Sequence, residues 1–248
     1  MKRLSLLSFA AALFFLTSCE TTREIVIGSN GDGSMSTTVD MSQLIGIAKM
    51  SGKGEEMKNQ KAIDTTVSFA SLADSLDNAT PEEKELVKKG TMNMIMNMED
   101  DKFVAKMNFP FANIGELTQL DKLSGKIAQE GMKSMGGKNG QGMPDDEMPQ
   151  ASIDDYFTTT YSTGLIERKL NKEKYAAIGD DKGAQALKEV SEQGMPITSK
   201  IVINLPRPAK KVEGANAKLS EDKKKVTIEN DMSDFFDDAT KMEFKIEY

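Results

Sequence analysis

The chain has 248 residues, a formal net charge of −7, a single cysteine and neither histidine nor tryptophan. The missing histidine excludes Ser-His and Cys-His catalytic pairs and any zinc site that uses histidine. At 38% hydrophobic residues the chain can bury a core, and its acidity without a basic stripe argues against nucleic acid as a partner.

The N-terminus has the order of a secretory signal. Two basic residues follow Met1, and an apolar run of about 13 residues begins at Leu4. This run is too short to span a bilayer, which takes roughly 18 or more apolar residues. It ends in the tetrapeptide Leu16-Thr17-Ser18-Cys19. That order resembles the lipobox of bacterial lipoproteins, and the resemblance implies that Cys19 is acylated and becomes the first residue after cleavage.

The resemblance implies a membrane-anchored lipoprotein of the bacterial cell envelope, in the outer membrane. Removal of the signal peptide, residues 1–18, takes away two basic residues and no acidic one, so the remaining 230 residues carry −9. Contact with the lipid bilayer then depends on the acyl chains rather than on attraction to anionic lipid. Residues 19–24 are polar and predict a short lipidated tether that keeps the domain close to the membrane.

Alternating apolar residues predict a β-hairpin after the tether. Ile25 and Ile27 lie on one side of the turn sequence Asn30-Gly31-Asp32-Gly33, and Met35 begins a second alternating run on the other side. A short apolar helix over 42–50, a polar loop over 51–61 and a strand over 63–69 are predicted next.

Two helices are predicted from their capping signals. Thr80, Pro81 and Glu83 form a capping box with proline in the first turn, and Gly90 ends that helix. Asn113 and Glu116 cap a second helix in the same way. Its apolar stripe consists of Ile114, Leu117, Leu120, Ile127 and Ala128.

Between these two predicted helices, apolar residues occupy every second position in two runs. The first run is Met92, Met94, Met96 and Met98, and the second is Phe103, Ala105, Met107 and Phe109. The pattern predicts a hairpin in which Met98 opposes Phe103 and every large side chain lies on one core face. The alternative is Cu(I) binding, because thioethers are soft ligands. The better copper candidates are Met132, Met135, Met143 and Met148, in the segment that follows.

That segment, residues 131–151, contains five glycines and two prolines without periodicity, and it predicts a disordered insertion between residues 25–130 and 152–248. Strands are predicted over 156–163, 164–170, 197–205, 212–219, 225–229 and 242–248, and helices over 172–178, 180–192 and 231–239. The fold class is therefore α+β, mainly antiparallel hairpins with helices packed on one face.

Carboxylates supply the one catalytic chemistry left open. Asp-Asp pairs begin at positions 100, 145, 154, 180 and 237, all in predicted turns, caps or loops where aspartate usually bonds locally. Ser220 and Lys223 match a Ser-Lys nucleophile pattern only nominally, because they lie in a charged turn.

The sequence thus predicts a non-catalytic binding or scaffold module, with an envelope protein or lipid as its partner. It indicates no enzyme activity, no cofactor, no metal ligand and no functional residue besides Cys19. The alternatives are a carboxylate-dependent hydrolase of envelope polymers and a methionine-rich copper-binding protein.

Overall fold

The structure, a computed structural model, describes residues 19–42, 62–76, 79–136, 153–192 and 197–248. In these ranges the strands are β1 (Cys19–Ile27), β2 (Gly33–Asp40), β3 (Ile63–Ser68), β4 (Thr91–Asn97), β5 (Lys102–Phe111), β6 (Phe157–Ser162), β7 (Leu165–Leu170), β8 (Ile197–Asn204), β9 (Lys211–Glu213), β10 (Ala217–Leu219), β11 (Lys225–Asp231) and β12 (Phe244–Glu247). Eight of them form one sheet in the order β10-β11-β8-β1-β2-β5-β4-β3. The other four form a second sheet in the order β6-β7-β12-β9.

Helices complete a mixed α+β fold in which strands dominate. They are α1 (Ala70–Ser75), α2 (Pro81–Lys88), α3 (Ile114–Gly136), α4 (Lys172–Ala176), α5 (Lys182–Glu192) and α6 (Met232–Asp238), with single 3₁₀ turns at Ile153–Tyr156, Ile178–Asp180 and Ala239–Met242. Within the described ranges, none of these helices has the length and apolar character that crossing a bilayer requires.

Strand β1 lies in the middle of the large sheet and corrects the predicted tether. Glu20 pairs with Asp40 of β2 on one side and with Thr198 of β8 on the other. Two hydrogen-bonded neighbours hold residues 19–24 in a strand, although their side chains are mostly polar. The predicted hairpin with β2 is confirmed, with Ile25 opposite Met35. The parallel pairing with β8 was not predicted, and it joins both halves of the chain in one sheet.

The methionine hairpin is confirmed, but its predicted register is wrong by two residues. Met96, not Met98, pairs with Phe103, because residues 98–101 form the turn and Asp101 adopts a φ of +51° there. A slip of two keeps every side chain on its predicted face, since side chains alternate with a period of two.

One predicted strand, over 212–219, is divided between the two sheets. Strand β9 pairs with β12 in the small sheet, whereas β10 pairs with β11 in the large one. The chain crosses at Gly214, whose φ of +143° suits glycine, and a Cβ there would come within 3.0 Å of the Glu243 carbonyl oxygen.

The main core lies on the face of the large sheet that packs against α1, α2, α3 and strands β7 and β12; we call this the inner face. The predicted stripe of α3 supplies Leu117, Leu120 and Ile127, which are at most 1% exposed. A second apolar cluster surrounds Phe235, which is fully buried in α6, the helix predicted over 231–239. Both helix caps are confirmed, and Thr80 and Glu83 exchange hydrogen bonds at 3.2 and 2.8 Å.

Helix α3 continues to Gly136, beyond the predicted start of the disordered insertion at Gly131. The rest of that insertion, the signal peptide (1–18), most of the predicted helix over 42–50 and the loop over 51–61 lie outside the described residues.

Candidate functional site

An arginine, Arg23, occupies an inner-face position of β1, two residues before Ile25 and four before Ile27. The guanidinium of Arg23 donates to Asp121 of α3 at 2.9 Å and to Asp154, in the turn before β6, at 2.7 Å. Alternation of β1 turns Arg23 toward α3, and the 3₁₀ turn brings Asp154 to its other side. Asp121 and Asp154, which follow Arg23 by 98 and 131 positions in the chain, therefore meet in one partly buried group.

A second arginine completes this group, which we call the arginine–aspartate cluster (Arg23, Asp121, Asp154, Arg168). Arg168 of β7 is 3% exposed and donates to the other oxygen of Asp154 at 2.9 Å. Its guanidinium carbon lies 4.1 Å from the centre of the Phe157 ring, in a cation–π contact. Its buried Nε–H has no hydrogen-bond partner among the described residues.

The two carboxylates of the cluster have opposite pKa shifts. Burial raises the pKa of Asp121, and the charge of Arg23 offsets this only in part. Burial also favours the neutral form of Asp154, but Arg23 and Arg168 outweigh it and hold the pKa of Asp154 well below its usual range. Burial opposes the charge of Arg23 too, yet Asp154 and Asp121 raise the pKa of its guanidinium. Tyr161 lies in the same surroundings, and burial raises its pKa well above the usual value.

Oppositely shifted carboxylates are also a mark of acid–base sites, so the cluster bears on the hydrolase alternative. Both carboxylates, however, are already bound by Arg23. Two hollows on the described surface lie elsewhere, one beside Glu20 and Lys200 and the other between α2 and the start of α3. The geometry of the cluster is that of an ion-pair link between β1, α3 and the second sheet.

Where the structure describes them, the other aspartate pairs bond outside the cluster, mostly to residues near them in the chain. Asp181 accepts the Tyr156 hydroxyl at 2.6 Å and the first amides of α5, which lower its pKa. Asp238 accepts from the Thr240 amide, and Asp100 accepts from Asn97. Asp154 is therefore the one described member of these pairs that lies in the cluster. The pair at 145 lies outside the described residues.

The nominal Ser-Lys pattern is part of a tight turn. The Ser220 hydroxyl donates to Asp222 at 2.6 Å and accepts from the Lys225 amide, and Lys223 has a φ of +56°. These bonds define a turn between β10 and β11 rather than a serine paired with a lysine.

In the methionine strip (Met92, Met94, Met96 and Met98), the first three residues lie on the inner face as predicted and Met98 lies in the turn after β4. The burial of the strip is uneven. Met98 is 7% exposed, and the other three side chains are partly buried. Met92 packs against the main core, whereas Met94, Met96 and Met98 belong to neither apolar cluster of the described residues. The prediction that Met94 and Met96 are core residues is therefore wrong as to depth.

Three predicted features have little or no description. Cys19 begins β1, and only its backbone position is described. Met132 and Met135 lie in the last turns of α3, and Met143 and Met148 lie outside the described residues. In the described part of the chain, no group of three or more Cys, Asp or Glu side chains has the arrangement of a metal site.

Comparisons with protein families, with curated proteins and with solved structures found no match to this chain. The proposals below therefore rest on its own residues.

Proposed function

We propose that this chain is a lipoprotein of the bacterial outer membrane, acylated at Cys19, that acts as a non-catalytic binding or scaffold module for an envelope protein or lipid. The observation that carries the proposal is the Leu16-Thr17-Ser18-Cys19 sequence at the end of a signal-like apolar run.

The position of Cys19 in the fold supports a close attachment to the membrane. Strand β1 begins at Cys19, so no flexible spacer separates the acylated residue from the sheet. Arg23, a member of the buried cluster, is only about 13 Å further along the strand, at roughly 3.3 Å per residue. One end of the large sheet would therefore rest at the bilayer surface.

The cluster supports a structural role for the buried charges rather than catalysis. Ion pairs whose partners come from β1, α3 and the second sheet fix how these elements pack, and each carboxylate is occupied by an arginine. The hydrolase alternative requires that Asp154, the most exposed member at 40%, become free to act on a substrate.

Metabolic labelling with an alkyne-bearing fatty acid tests the anchor. We expect labelled wild-type chain in the outer-membrane fraction and no label after Cys19→Ala, because the acylated thiol is gone. Ser18→Ala is the matched control, since it keeps a small residue before the cysteine and should leave labelling intact. Unchanged labelling of the Cys19→Ala variant would contradict the proposal.

Crosslinking in cells tests the binding role. Crosslinked wild-type chain, purified from membranes, should carry a reproducible envelope protein or lipid that the Cys19→Ala variant lacks. Hydrolysis of envelope polymers by purified chain, lost in Asp154→Asn, would instead support the enzyme alternative.

A further inference from the structure

The strand register places a row of apolar positions beside Cys19 at one end of the inner face. Cys19 pairs with Ile197 of β8, and the pair Glu20–Asp40 puts Met41 opposite Cys19 on the other side. The Met41 amide donates to the Phe103 carbonyl at 2.8 Å, and Phe103 pairs with Met96, which pairs with Ile63. We call this set the Cys19 row: Ile197, Cys19, Met41, Phe103, Met96 and Ile63.

The Cys19 row differs in burial from the opposite end of the same face. Ile25, Ile27, Met35, Phe109 and Phe111 are at most 4% exposed and belong to the main core. The described side chains of the row are only partly buried, and none belongs to either apolar cluster. The row is therefore a partly exposed apolar strip at the sheet end from which β1 starts.

The lipid on Cys19 identifies what this surface contacts, and this step rests on the proposed function. Because β1 has no spacer, acyl chains attached to Cys19 bring the bilayer to the end of the sheet where the row lies. We propose that the Cys19 row sits in the interfacial region of the same bilayer, with Phe103, Met96 and Met41 against the lipid acyl chains.

The chemistry of the row suits a lipid surface. Its described members are uncharged, and methionine side chains adapt readily to an irregular apolar partner. Lys102, exposed next to Phe103, can extend its ammonium group to the headgroups while its stem stays on apolar surface.

Tryptophan scanning tests the proposal, because the natural chain has no tryptophan. Acylated chain with Phe103→Trp is reconstituted into neutral phosphatidylcholine vesicles, with and without bromine on the acyl chains. We expect brominated lipid to quench the indole emission strongly, because bromine quenches on contact. The matched control is Val104→Trp, the next residue of β5, which lies on the opposite face and pairs with Asp40; its emission should change little.

A second pair of tryptophan variants, on β4, controls for a local folding defect in β5. Met96→Trp should be quenched and Ile95→Trp should not, because these neighbours lie on opposite faces of β4. Circular dichroism of each variant verifies the fold.

The outcomes separate this proposal from the one on which it rests. Chain that does not float with the vesicles would refute both. Chain that floats while both inner-face indoles stay unquenched would refute the Cys19 row alone, as would equal quenching on the two faces. Emission that shifts with protein concentration but not with brominated lipid would assign the row to a second copy instead.

Discussion

The two ends of the inner face are built from similar residues but are buried to different depths. At the end away from Cys19, Met35 is 1% exposed and packs beside Phe109 and Phe111 under α3. At the Cys19 end, Met94 and Met96 are partly buried and belong to neither cluster of the described residues. Alternation in a strand tells which face a side chain occupies, but depth is decided by what packs above it.

Arg23 lies between the two ends of the inner face, and its removal should destabilise the fold more than any other change proposed for that face. Arg23→Ala leaves Asp121 and Asp154 without their shared partner, and we expect a loss of about 3–5 kcal/mol in the free energy of unfolding. Urea unfolding of the chain without residues 1–18 measures it.

Lys200 offers the matched control for Arg23. It lies on the neighbouring strand β8 but faces solvent, 37% exposed, with Glu229 at 3.1 Å. Lys200→Ala should cost less than about 1 kcal/mol, as expected for a surface ion pair. Equal losses in the two variants would mean that the cluster contributes no more than a surface pair.

Alanine substitutions of two methionines test the difference in burial between the two ends directly. Met35→Ala should cost roughly 2–5 kcal/mol, because it leaves a cavity in a fully buried position. Met94→Ala should cost only about 1 kcal/mol, because its side chain removes less apolar area from water. The same urea melts serve here, and a larger loss for Met94→Ala than for Met35→Ala would contradict the difference in depth.

The pH dependence of stability tests separately the ion pairs that Asp154 makes in the arginine–aspartate cluster. The lowered pKa of Asp154 means that its ion pairs stabilise the fold above the unfolded-state pKa of about 3.9 and that this stabilisation is lost as pH falls toward its native pKa. Asp154→Asn should therefore be less stable than wild type at pH 7, and the difference should begin to shrink below about pH 4, as the pH falls toward the native pKa of Asp154.

Asp155→Asn is the control for this prediction, because Asp155 is the exposed neighbour of Asp154 in the same turn. The free energy of unfolding of Asp155→Asn should follow that of wild type from pH 7 to pH 3. A constant difference between wild type and Asp154→Asn from pH 7 to pH 3 would show that the carboxylate charge is not what stabilises the fold.

Local patterns predicted most of the hairpins and helices. The Asn-Gly-Asp-Gly turn, the Thr80 capping box and the alternation around Phe103 each involve residues close in the chain, so sequence alone specifies them. The register of the methionine hairpin was missed because it depends on the number of residues in the turn, and both registers place the same side chains on the inner face.

The parallel pairing of β1 with β8 and the arginine–aspartate cluster could not be predicted in this way. Their partners are far apart in sequence, and Arg23 among polar neighbours resembled an exposed tether. One signal was present, since Arg23 continues the alternate positions of Ile25 and Ile27 toward the N-terminus. Only its distant partners, Asp121 and Asp154, make a charge acceptable at a buried position.

A leucine substitution of Met94, which should change stability very little, distinguishes packing from copper binding at the Cys19 end. Met94→Leu conserves volume and apolar character, and the side chain is only partly buried, so the substitution should change the free energy of unfolding by well under about 1.5 kcal/mol. On the copper alternative, leucine removes a thioether ligand and abolishes any stabilisation by Cu(I).

Thermal melts of wild type and Met94→Leu with and without Cu(I), under reducing conditions, distinguish the two. Stabilisation by a ligand requires that it bind the folded state better than the unfolded one, so a real copper site must raise the wild-type melting temperature. We expect Cu(I) to leave both melts unchanged. A rise in wild type that Met94→Leu loses would instead make the methionine strip a metal site, and its partial burial would then give the ion access.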